Sequence, residues 1–377
     1  MLLASALAGG CTEMLLGGKN YHLDEGAGGT GGADDTGPAA CENGFTACDG
    51  ACVLLDSDAE HCGACGHDCF GATCNAGMCA PQEVAAHLTD PRAVAVDETH
   101  VYWTDAVTLQ RAPKDGGAAE TLSAGHHELG AVAVDDKYVF WLDQGSGTVM
   151  KLKKDGNGKA KVVFDGSKSD NLGSLAFDGE DVYFSRTVEN GDIRRAKKGM
   201  DEVPTVLVGA QPEPTDIRML GAGLMWSGFM EELQGRPDGA EENRVAPVGG
   251  YVRFTLRKGA AGFTALAEGE GEITALAAAG DVAVWVDGTS ARIRARSITD
   301  PAPITLVEGQ HVAGLSADDT RIYWSTKTGT VKSHVLTSHE TRTLAVDIAG
   351  AGPVALDATH VYILRTGPDG GILRVAR

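Results

Sequence analysis

The amino-acid sequence predicts an all-β fold in which one structural unit is repeated seven times. Residues 91–377 carry a repeat with a period of about 40 residues. Apolar runs of four or five residues end at Asp or Gly within each repeat, which is typical of strands and too short for helices. Seven such units with several short strands each indicate a seven-bladed β-propeller. Eight of the nine cysteines precede this region and lie within 39 residues, which indicates a separate disulfide-rich module.

The composition supports a folded, acidic protein. Apolar residues make up 43% of the 377 residues and charged residues 22%, which is enough for a packed core. The chain has 32 Lys and Arg against 52 Asp and Glu, a formal charge of −20. A nucleic-acid-binding protein needs a basic surface, so the sequence predicts no nucleic-acid partner.

The first 16 residues contain an apolar run that ends just before Cys11. This arrangement resembles the lipobox of bacterial lipoproteins, although Leu7 stands four rather than three residues before the cysteine and no Lys or Arg precedes the run. The resemblance implies an export signal, lipidation of Cys11 and attachment to the outer membrane of a bacterial cell envelope. Two acyl chains hold a protein stably, because each buried methylene contributes about 0.8 kcal/mol. An ordinary apolar N-terminus is the alternative.

Residues 17–40 are rich in glycine and acidic residues. They include eight glycines and four Asp or Glu. This composition cannot bury enough apolar surface to offset the entropy lost on ordering. The sequence therefore predicts a disordered, flexible tether.

Residues 41–80 form the cysteine-rich segment, with Cys41, Cys48, Cys52, Cys62, Cys65, Cys69, Cys74 and Cys79. An even number of cysteines beside an export signal predicts four disulfides, whose pairing the sequence leaves open. The segment is too short to build a core of its own, so it depends on these bridges. A zinc site is the alternative, because His61 and His67 lie close to Cys62-x-x-Cys65 and Cys69.

The spacing within Cys62–Cys69, together with Cys48-x-Gly-x-Cys52-Val53 before it, is similar to a cysteine-rich module of predicted myxobacterial surface lipoproteins. The resemblance covers about 40 residues. It implies a location in the cell envelope and no particular chemistry.

One aromatic position defines the repeat, and all five tryptophans of the chain occupy it. We call these positions the anchors: Trp103, Trp141, Phe184, Trp226, Trp285, Trp324 and Ile363, with spacings of 38, 43, 42, 59, 39 and 39 residues. In five repeats an aspartate lies six residues before the anchor: Asp97, Asp135, Asp178, Asp318 and Asp357. The fourth and fifth repeats have Leu220 and Ala279 there instead.

Each repeat divides into four predicted strands, a to d, with small residues on strand a for the crowded axis and the anchor on strand b. The propeller is expected to span residues 82–377. The last repeat ends after its strand c, whereas residues 83–88 match the pattern of strand d. We therefore expect this early segment to complete the seventh blade, which removes an exposed strand edge.

The segment Tyr102-Trp103-Thr104-Asp105 resembles the YWTD propellers of lipoprotein-receptor ectodomains and, more loosely, NHL-type bacterial propellers. Those YWTD propellers have six blades, whereas the repeat here predicts seven. The resemblance implies a scaffold that binds a protein or another ligand, and such a scaffold does not by itself fix a function.

The two faces of the predicted propeller differ in their loops. The a–b turns carry the repeated aspartates and the c–d turns carry lysines, so weak ion pairs are expected on that face. The b–c and d–a loops form the other face, and the long insertion at residues 228–250 joins it between strands b and c of the fourth repeat. Long loops on a rigid scaffold commonly bind ligands, so we expect binding there.

The sequence predicts no cofactor and assigns no metal site. His126, His127, Glu128 and His311 are the candidates for a metal or a catalytic group at the channel mouth. No metalloprotease motif, nucleophile elbow or P-loop is present. The favoured function is an exported, membrane-anchored protein that binds a protein, peptide or glycan. The alternatives are an exported lyase- or hydrolase-like enzyme that uses these histidines, and a structural envelope component without a ligand.

Overall fold

The computed structural model describes residues 41–198, 203–230, 248–256 and 263–377. Seven four-stranded antiparallel sheets follow one another in this part of the chain, and their innermost strands contact each other in a closed circle. The predicted seven-bladed propeller is therefore confirmed. The expectations for residues 1–16, for residues 17–40 and for Cys11 concern a part of the chain outside the described residues. Within the described ranges no helix is long and apolar enough to cross a membrane.

In the module and in the first four blades, the strands of each sheet are arranged in the order in which they occur along the chain. The module has two short hairpins: β1 Thr46–Cys48 with β2 Ala51–Val53, and β3 Cys74–Asn75 with β4 Met78–Cys79. Strand β5, Gln82–Ala86, precedes the first blade. Blade 1 comprises β6 Ala93–Val96, β7 His100–Thr104, β8 Thr108–Pro113 and β9 Glu120–Ala124; blade 2 comprises β10 Leu129–Val134, β11 Tyr138–Asp143, β12 Thr148–Lys153 and β13 Lys161–Asp165. Blade 3 comprises β14 Leu172–Phe177, β15 Asp181–Arg186, β16 Gly191–Lys197 and β17 Thr205–Gln211; blade 4 comprises β18 Ile217–Leu220, β19 Gly223–Met230, β20 Gly249–Leu256 and β21 Thr264–Glu270.

The remaining blades repeat the same order, and a short 3-10 helix, Lys168–Asp170, connects blades 2 and 3. Blade 5 comprises β22 Ile273–Ala279, β23 Val282–Asp287, β24 Arg292–Ser297 and β25 Ile304–Val307. Blade 6 comprises β26 Val312–Ala317, β27 Arg321–Thr326, β28 Val331–Val335 and β29 Thr341–Ala345. Blade 7 comprises β30 Ala351–Leu356, β31 His360–Arg365, β32 Gly371–Ala376 and the early strand β5.

The ring closes in blade 7, where the start and the end of the propeller meet. Strand β5 pairs antiparallel with β32, with Ala85 opposite Ile372 and Glu83 opposite Leu373. The predicted closure is confirmed, although the strand begins at Gln82 and ends at Ala86 rather than spanning 83–88. His87 has a positive φ of 56°, which interrupts the regular strand, and the Leu88 N–H still donates to the Gly370 carbonyl at 2.9 Å.

The predicted insertion at residues 228–250 is shorter at both ends than the sequence suggested. Strand β19 continues to Met230 and β20 starts at Gly249, and these two residues are paired in the sheet. The spacing between anchors cannot reveal how far a long hairpin continues, because extra residues lengthen strands and loop alike. Residues 231–247 lie outside the described part of the chain.

The anchors form the core between neighbouring blades, as predicted. Each of the seven anchor side chains is fully buried. The described residues contain seven apolar clusters, one at each boundary between blades, and each cluster contains one anchor. Trp103, for example, packs in blade 1 against Val84 and Ile372 of blade 7. The anchor of one blade therefore fills the gap to the blade before it.

The disulfide module packs against the boundary that has the smallest anchor. Ile363 replaces the usual aromatic residue between blades 6 and 7, and the cluster there also contains Cys62, Cys69 and Cys79. Arg342 of blade 6 donates a hydrogen bond to the Cys62 carbonyl. The module thus adds buried side chains to the boundary whose anchor is the smallest.

The eight cysteines of the module form four disulfides, as predicted. The pairs are Cys41–Cys52, Cys48–Cys65, Cys62–Cys74 and Cys69–Cys79. The sulfur atoms of Cys62, Cys69 and Cys79 lie within 4.8 Å of one another, but each is part of a disulfide and none is a thiolate ligand. The zinc alternative is thus not supported at these sulfur atoms.

We predict that the Cys69–Cys79 disulfide stabilises the propeller as well as the module. Replacing both cysteines by serine should lower the free energy of unfolding by roughly 2–4 kcal/mol. Urea unfolding followed by tryptophan fluorescence measures this, because all five tryptophans are propeller anchors. The control replaces Cys41 and Cys52 by serine. Their disulfide closes a loop of similar length but lies outside the apolar cluster between blades 6 and 7, so a smaller loss of propeller stability is expected. Equal losses for the two pairs would show that packing against the propeller contributes nothing.

Candidate functional site

The repeated aspartate of the a–b turn binds the tyrosine next to the anchor. In four blades the tyrosine hydroxyl donates to this carboxylate: Tyr102 to Asp97 at 3.0 Å, Tyr183 to Asp178 at 3.0 Å, Tyr323 to Asp318 at 3.1 Å and Tyr362 to Asp357 at 2.9 Å. The other carboxylate oxygen accepts two peptide N–H groups of the turn, as Asp97 does from Thr99 and His100 at 2.8 Å. The aspartate therefore fixes the turn and holds the ring on strand b.

Four of the five repeated aspartates also link their blade to the next one by an ion pair. Each pair joins an a–b turn to a cation of the following blade: Asp97–Lys154 at 2.8 Å, Asp135–Lys198 at 2.8 Å, Asp318–Arg377 at 3.0 Å and Asp357–Lys114 at 2.6 Å. The sequence predicted weak surface pairs here. The side chains of Asp135 and Lys198 are only 6% and 9% exposed, so screening by solvent is much weaker than for a surface pair.

These contacts shift the ionisation of the aspartates. Burial raises the pKa of the Asp97 carboxyl, but the Lys154 ammonium and the hydrogen bonds from Thr99, His100 and Tyr102 outweigh it. The net effect holds the pKa of Asp97 well below its ordinary value, and the pKa of Asp357 is lowered in the same way by Lys114. Both carboxylates are therefore fixed structural charges.

The residue after the anchor makes a second link between blades. Its hydroxyl donates to a backbone carbonyl on or beside strand a of the following blade: Thr104 to Gly130 at 2.8 Å, Ser185 to Thr215 at 3.0 Å and Ser325 to Gly352 at 2.5 Å. Asp105, the last residue of the Tyr-Trp-Thr-Asp segment, accepts the peptide N–H groups of Val107 and Thr108 and closes the b–c turn. All four positions of the motif therefore have structural contacts, either within blade 1 or at its boundaries with the neighbouring blades.

A polar cluster lies at the axis, where strands a of several blades meet. A cavity of about 550 Å³ is lined mostly by small apolar residues of these strands, but also by Arg92, Ser174, Asp216 and Arg218. An adjoining cavity of about 570 Å³ shares these four residues and is lined by d–a and b–c loop residues. The channel mouth, which we define by these four residues, therefore lies on the b–c/d–a face.

Hydrogen bonds hold the cations of the channel mouth in place. The Arg218 guanidinium donates to Asp216 at 2.5 Å and to the Ser174 hydroxyl at 3.2 Å. Asp216 also accepts the peptide N–H of Leu276 at 3.2 Å. Arg92 donates to Asp90 at 3.1 Å, and the side chains of Arg92 and Arg218 are 33% and 39% exposed. The mouth thus presents two positioned cations to solvent.

The structure does not bring the four metal candidates together. His126, His127 and Glu128 lie in the loop between blades 1 and 2, whereas His311 lies between blades 5 and 6. His127, Glu128 and His311 are exposed. Among the described residues, the only set of three or more potential ligand atoms close enough for a metal consists of the disulfide cysteines.

Sequence reasoning missed the residues of the channel mouth. Arg92, Asp216 and Arg218 flank or interrupt the small apolar runs of strand a. Charged residues at this otherwise apolar position were the available signal. These residues belong to different blades and line the same cavity only because the ring closes. The spacing within a single repeat does not reveal that they come together.

The comparisons with known proteins support the two-part architecture. Residues 35–82 match the model of the Stigma-specific STIG1-like protein family, which covers the cysteine-rich segment alone. No curated protein matches the chain. In solved structures, 1415 chains match, so the propeller fold is widely shared.

Three of these structures illustrate the range. A streptogramin B lyase structure has 11% identity and a TM-score of 0.61, covering 78% of this chain and 97% of its own. The structure of U3-55K has 10% identity and a TM-score of 0.63, covering 79% and 98%. PorZ, a bacterial surface component of the type-IX secretion system of Porphyromonas gingivalis, has 12% identity and a TM-score of 0.57, covering 78% and 38%. Identities this low show the fold alone.

We predict that the Asp97 ion pair stabilises the ring in a pH-dependent way. Asp97→Asn should lower the free energy of unfolding by about 1–3 kcal/mol at pH 7. Because the folded-state pKa of Asp97 is depressed, this stabilisation is present above the unfolded-state value of about 3.9 and is lost as the pH falls further. The deficit of the variant should therefore shrink below about pH 4.

Urea titrations at several pH values measure this deficit. The control is Asp136→Asn, an exposed aspartate in the next a–b turn, for which a change within about 0.5 kcal/mol is expected. A deficit for Asp97→Asn that stays constant down to pH 2 would contradict the ionic contribution.

Proposed function

We propose that the protein is an exported, membrane-anchored binding protein that holds a protein, peptide or glycan ligand on its b–c/d–a face. The observation that carries this proposal is the channel mouth, where Arg92 and Arg218 are positioned beside a cavity of about 550 Å³. Binding sites combine apolar walls with a few fixed polar groups, and this cavity has both.

Asp90 and Asp216 balance the two cations of the mouth, so the remaining donors of Arg218, whose hydrogen bonds all leave from Nη1, are what favour a ligand with carboxylate groups. Asp216 and Ser174 orient Arg218 and leave part of its guanidinium exposed. A guanidinium binds a carboxylate through two parallel hydrogen bonds, which gives geometric selectivity as well as affinity. Acidic peptides and uronic-acid glycans carry such groups, and both are among the ligand classes that the scaffold is expected to accept.

Export and anchoring rest on the module and on the N-terminal segment. Four disulfides persist in oxidising compartments, and they support a location outside the cytosol. Lipidation at Cys11 would attach the protein to a bacterial membrane, with residues 17–40 as the tether.

We predict that the intact mass of protein taken from its native membrane includes two or three acyl chains on Cys11. A mass equal to that of the unmodified polypeptide would contradict the anchor.

We predict that removing the cations of the mouth abolishes binding of acidic ligands. The immobilised full chain is probed with oligogalacturonate and with a poly-glutamate peptide, and binding is measured by biolayer interferometry. The double variant Arg92→Ala/Arg218→Ala should lose at least about tenfold in affinity, because each charged hydrogen bond contributes about 1.5–3 kcal/mol.

The matched control is Arg195→Ala. Arg195 lies on β16 near the opposite face, and its side chain is 37% exposed against 39% for Arg218. The affinity of the Arg195→Ala variant for oligogalacturonate and poly-glutamate should equal that of the wild type. Equal losses in both variants would show that binding depends on overall charge, and binding unaffected by the double variant would place the ligand elsewhere.

A further inference from the structure

Three side chains at the boundary between blades 1 and 2 have the connectivity of a nucleophilic triad. Ser123 lies on β9, His126 in the following loop and Asp143 at the end of β11. The Ser123 hydroxyl oxygen is 2.8 Å from Nε2 of His126, and Nδ1 of the same ring is 3.1 Å from the Asp143 carboxylate. A serine, an imidazole and a buried carboxylate in this order are the arrangement that activates a hydroxyl for acyl transfer.

The surroundings fix the imidazole in the form that this chemistry needs. The Asp143 side chain is 7% exposed, and its other oxygen accepts the peptide N–H of Ser146 at 3.1 Å. The carboxylate accepts a hydrogen bond from the Nδ1–H group of His126 and has no proton to donate, which leaves Nε2 as the acceptor for the Ser123 hydroxyl. The ring also stands edge-on to Trp141, with centroids 5.6 Å apart, so its orientation is held on a second side.

The packing between blades 1 and 2 does not explain why a histidine occupies position 126. Gln211 and Gln310 approach the anchors of blades 4 and 6 from corresponding positions and accept their indole N–H groups at 3.2 and 3.3 Å. His126 instead directs both ring nitrogens to Ser123 and Asp143. The indole nitrogen of Trp141 is buried without a partner among the described residues, as are those of Trp103 and Trp285. A glutamine would satisfy this boundary better than the histidine does.

The position is open to a large substrate. Ser123 is partly exposed and is followed by exposed Ala124 and Gly125. Gly125 has a φ of +80°, and its peptide N–H makes no backbone hydrogen bond within the described residues. Val107, whose carbonyl accepts the N–H of His126, is 50% exposed and offers an apolar surface for an acyl chain.

We propose that Ser123, His126 and Asp143 form an esterase site for accessible carboxylic esters on larger molecules. Nε2 of His126 takes the hydroxyl proton while the oxygen of Ser123 attacks the ester carbonyl carbon. The bond to the alcohol oxygen breaks, and His126 gives the proton to the departing alcohol, which leaves an acyl ester on Ser123. Water then attacks this ester with His126 as the base, releases the carboxylic acid and restores the serine. Asp143 is a positioning residue. The site is separate from the channel mouth and does not rest on the binding proposal.

A fluorophosphonate probe on the full chain tests this site, together with hydrolysis of p-nitrophenyl acetate. The probe should form an adduct on Ser123, identified by peptide mass, and Ser123→Ala should lower the labelling and hydrolysis rates at least about 100-fold. The control is Ser290→Ala, because Ser290 is partly buried and bonded to Asp287 but has no imidazole partner. Its rates should equal those of the wild type. An unlabelled Ser123 in folded protein, or equal hydrolysis by Ser123→Ala, would overturn the proposal.

Two further variants separate catalysis from folding. Asp143→Asn should lower the labelling rate and change the tautomer of His126, seen in the nitrogen-15 shifts of the ring, while the melting temperature reports any loss of structure. Ser123→Cys should react with iodoacetamide at least about tenfold faster than Ser290→Cys, because a neighbouring imidazole favours the thiolate. Equal alkylation rates, or an unchanged labelling rate in Asp143→Asn, would contradict an activating histidine.

Discussion

The rest of the structure depends on the pairing of β5 with β32 in blade 7. A propeller without this pairing would end in a three-stranded sheet with an exposed edge, and each blade has only its neighbours to cover its faces. Because β5 comes from the start of the propeller, the pairing joins both ends of the chain in one sheet. It also brings Val84 into the cluster around Trp103, so the hydrogen bonds and the core at this boundary form together. The module lies directly before β5 and packs against blades 6 and 7, which fixes it to the ring.

The residues that recur in each repeat stabilise the ring, whereas the residues that do not recur are available for a function. The anchors, the turn aspartates and the hydroxyls after the anchors each bond or pack across a boundary between blades, and a blade that lacks one of them weakens that boundary. The two sites that we propose therefore lie where the repeat is interrupted. Arg218 stands in the small apolar strand a of blade 4, and His126 stands where two other blades have glutamine. This division explains why a widely shared fold identifies no ligand.

The sequence predicted the fold well because periodicity is a local signal. The anchors, the closing strand and the disulfide-rich module follow from spacing alone. The pairing of the cysteines could not be predicted, since many pairings of eight cysteines satisfy the same spacings. The Ser123–His126–Asp143 set was missed for another reason. His126 was considered as a metal ligand or a catalytic group together with His127 and His311, whereas its partners Ser123 and Asp143 depend on how the loop between blades 1 and 2 turns. The burial of the aspartate pairs was not predicted, because a turn at the edge of one blade is covered by the next blade.

Hydrogen exchange of the closing strand tests the account most directly. In the folded full chain, the amides of Gln82–Ala86 that bond to β32 should exchange as slowly as those of the outer strands of the other blades, and they should become exposed only in the global unfolding reaction. Exchange of these amides at the rate of an unstructured terminus, while the other six blades stay protected, would contradict a ring joined by its two ends.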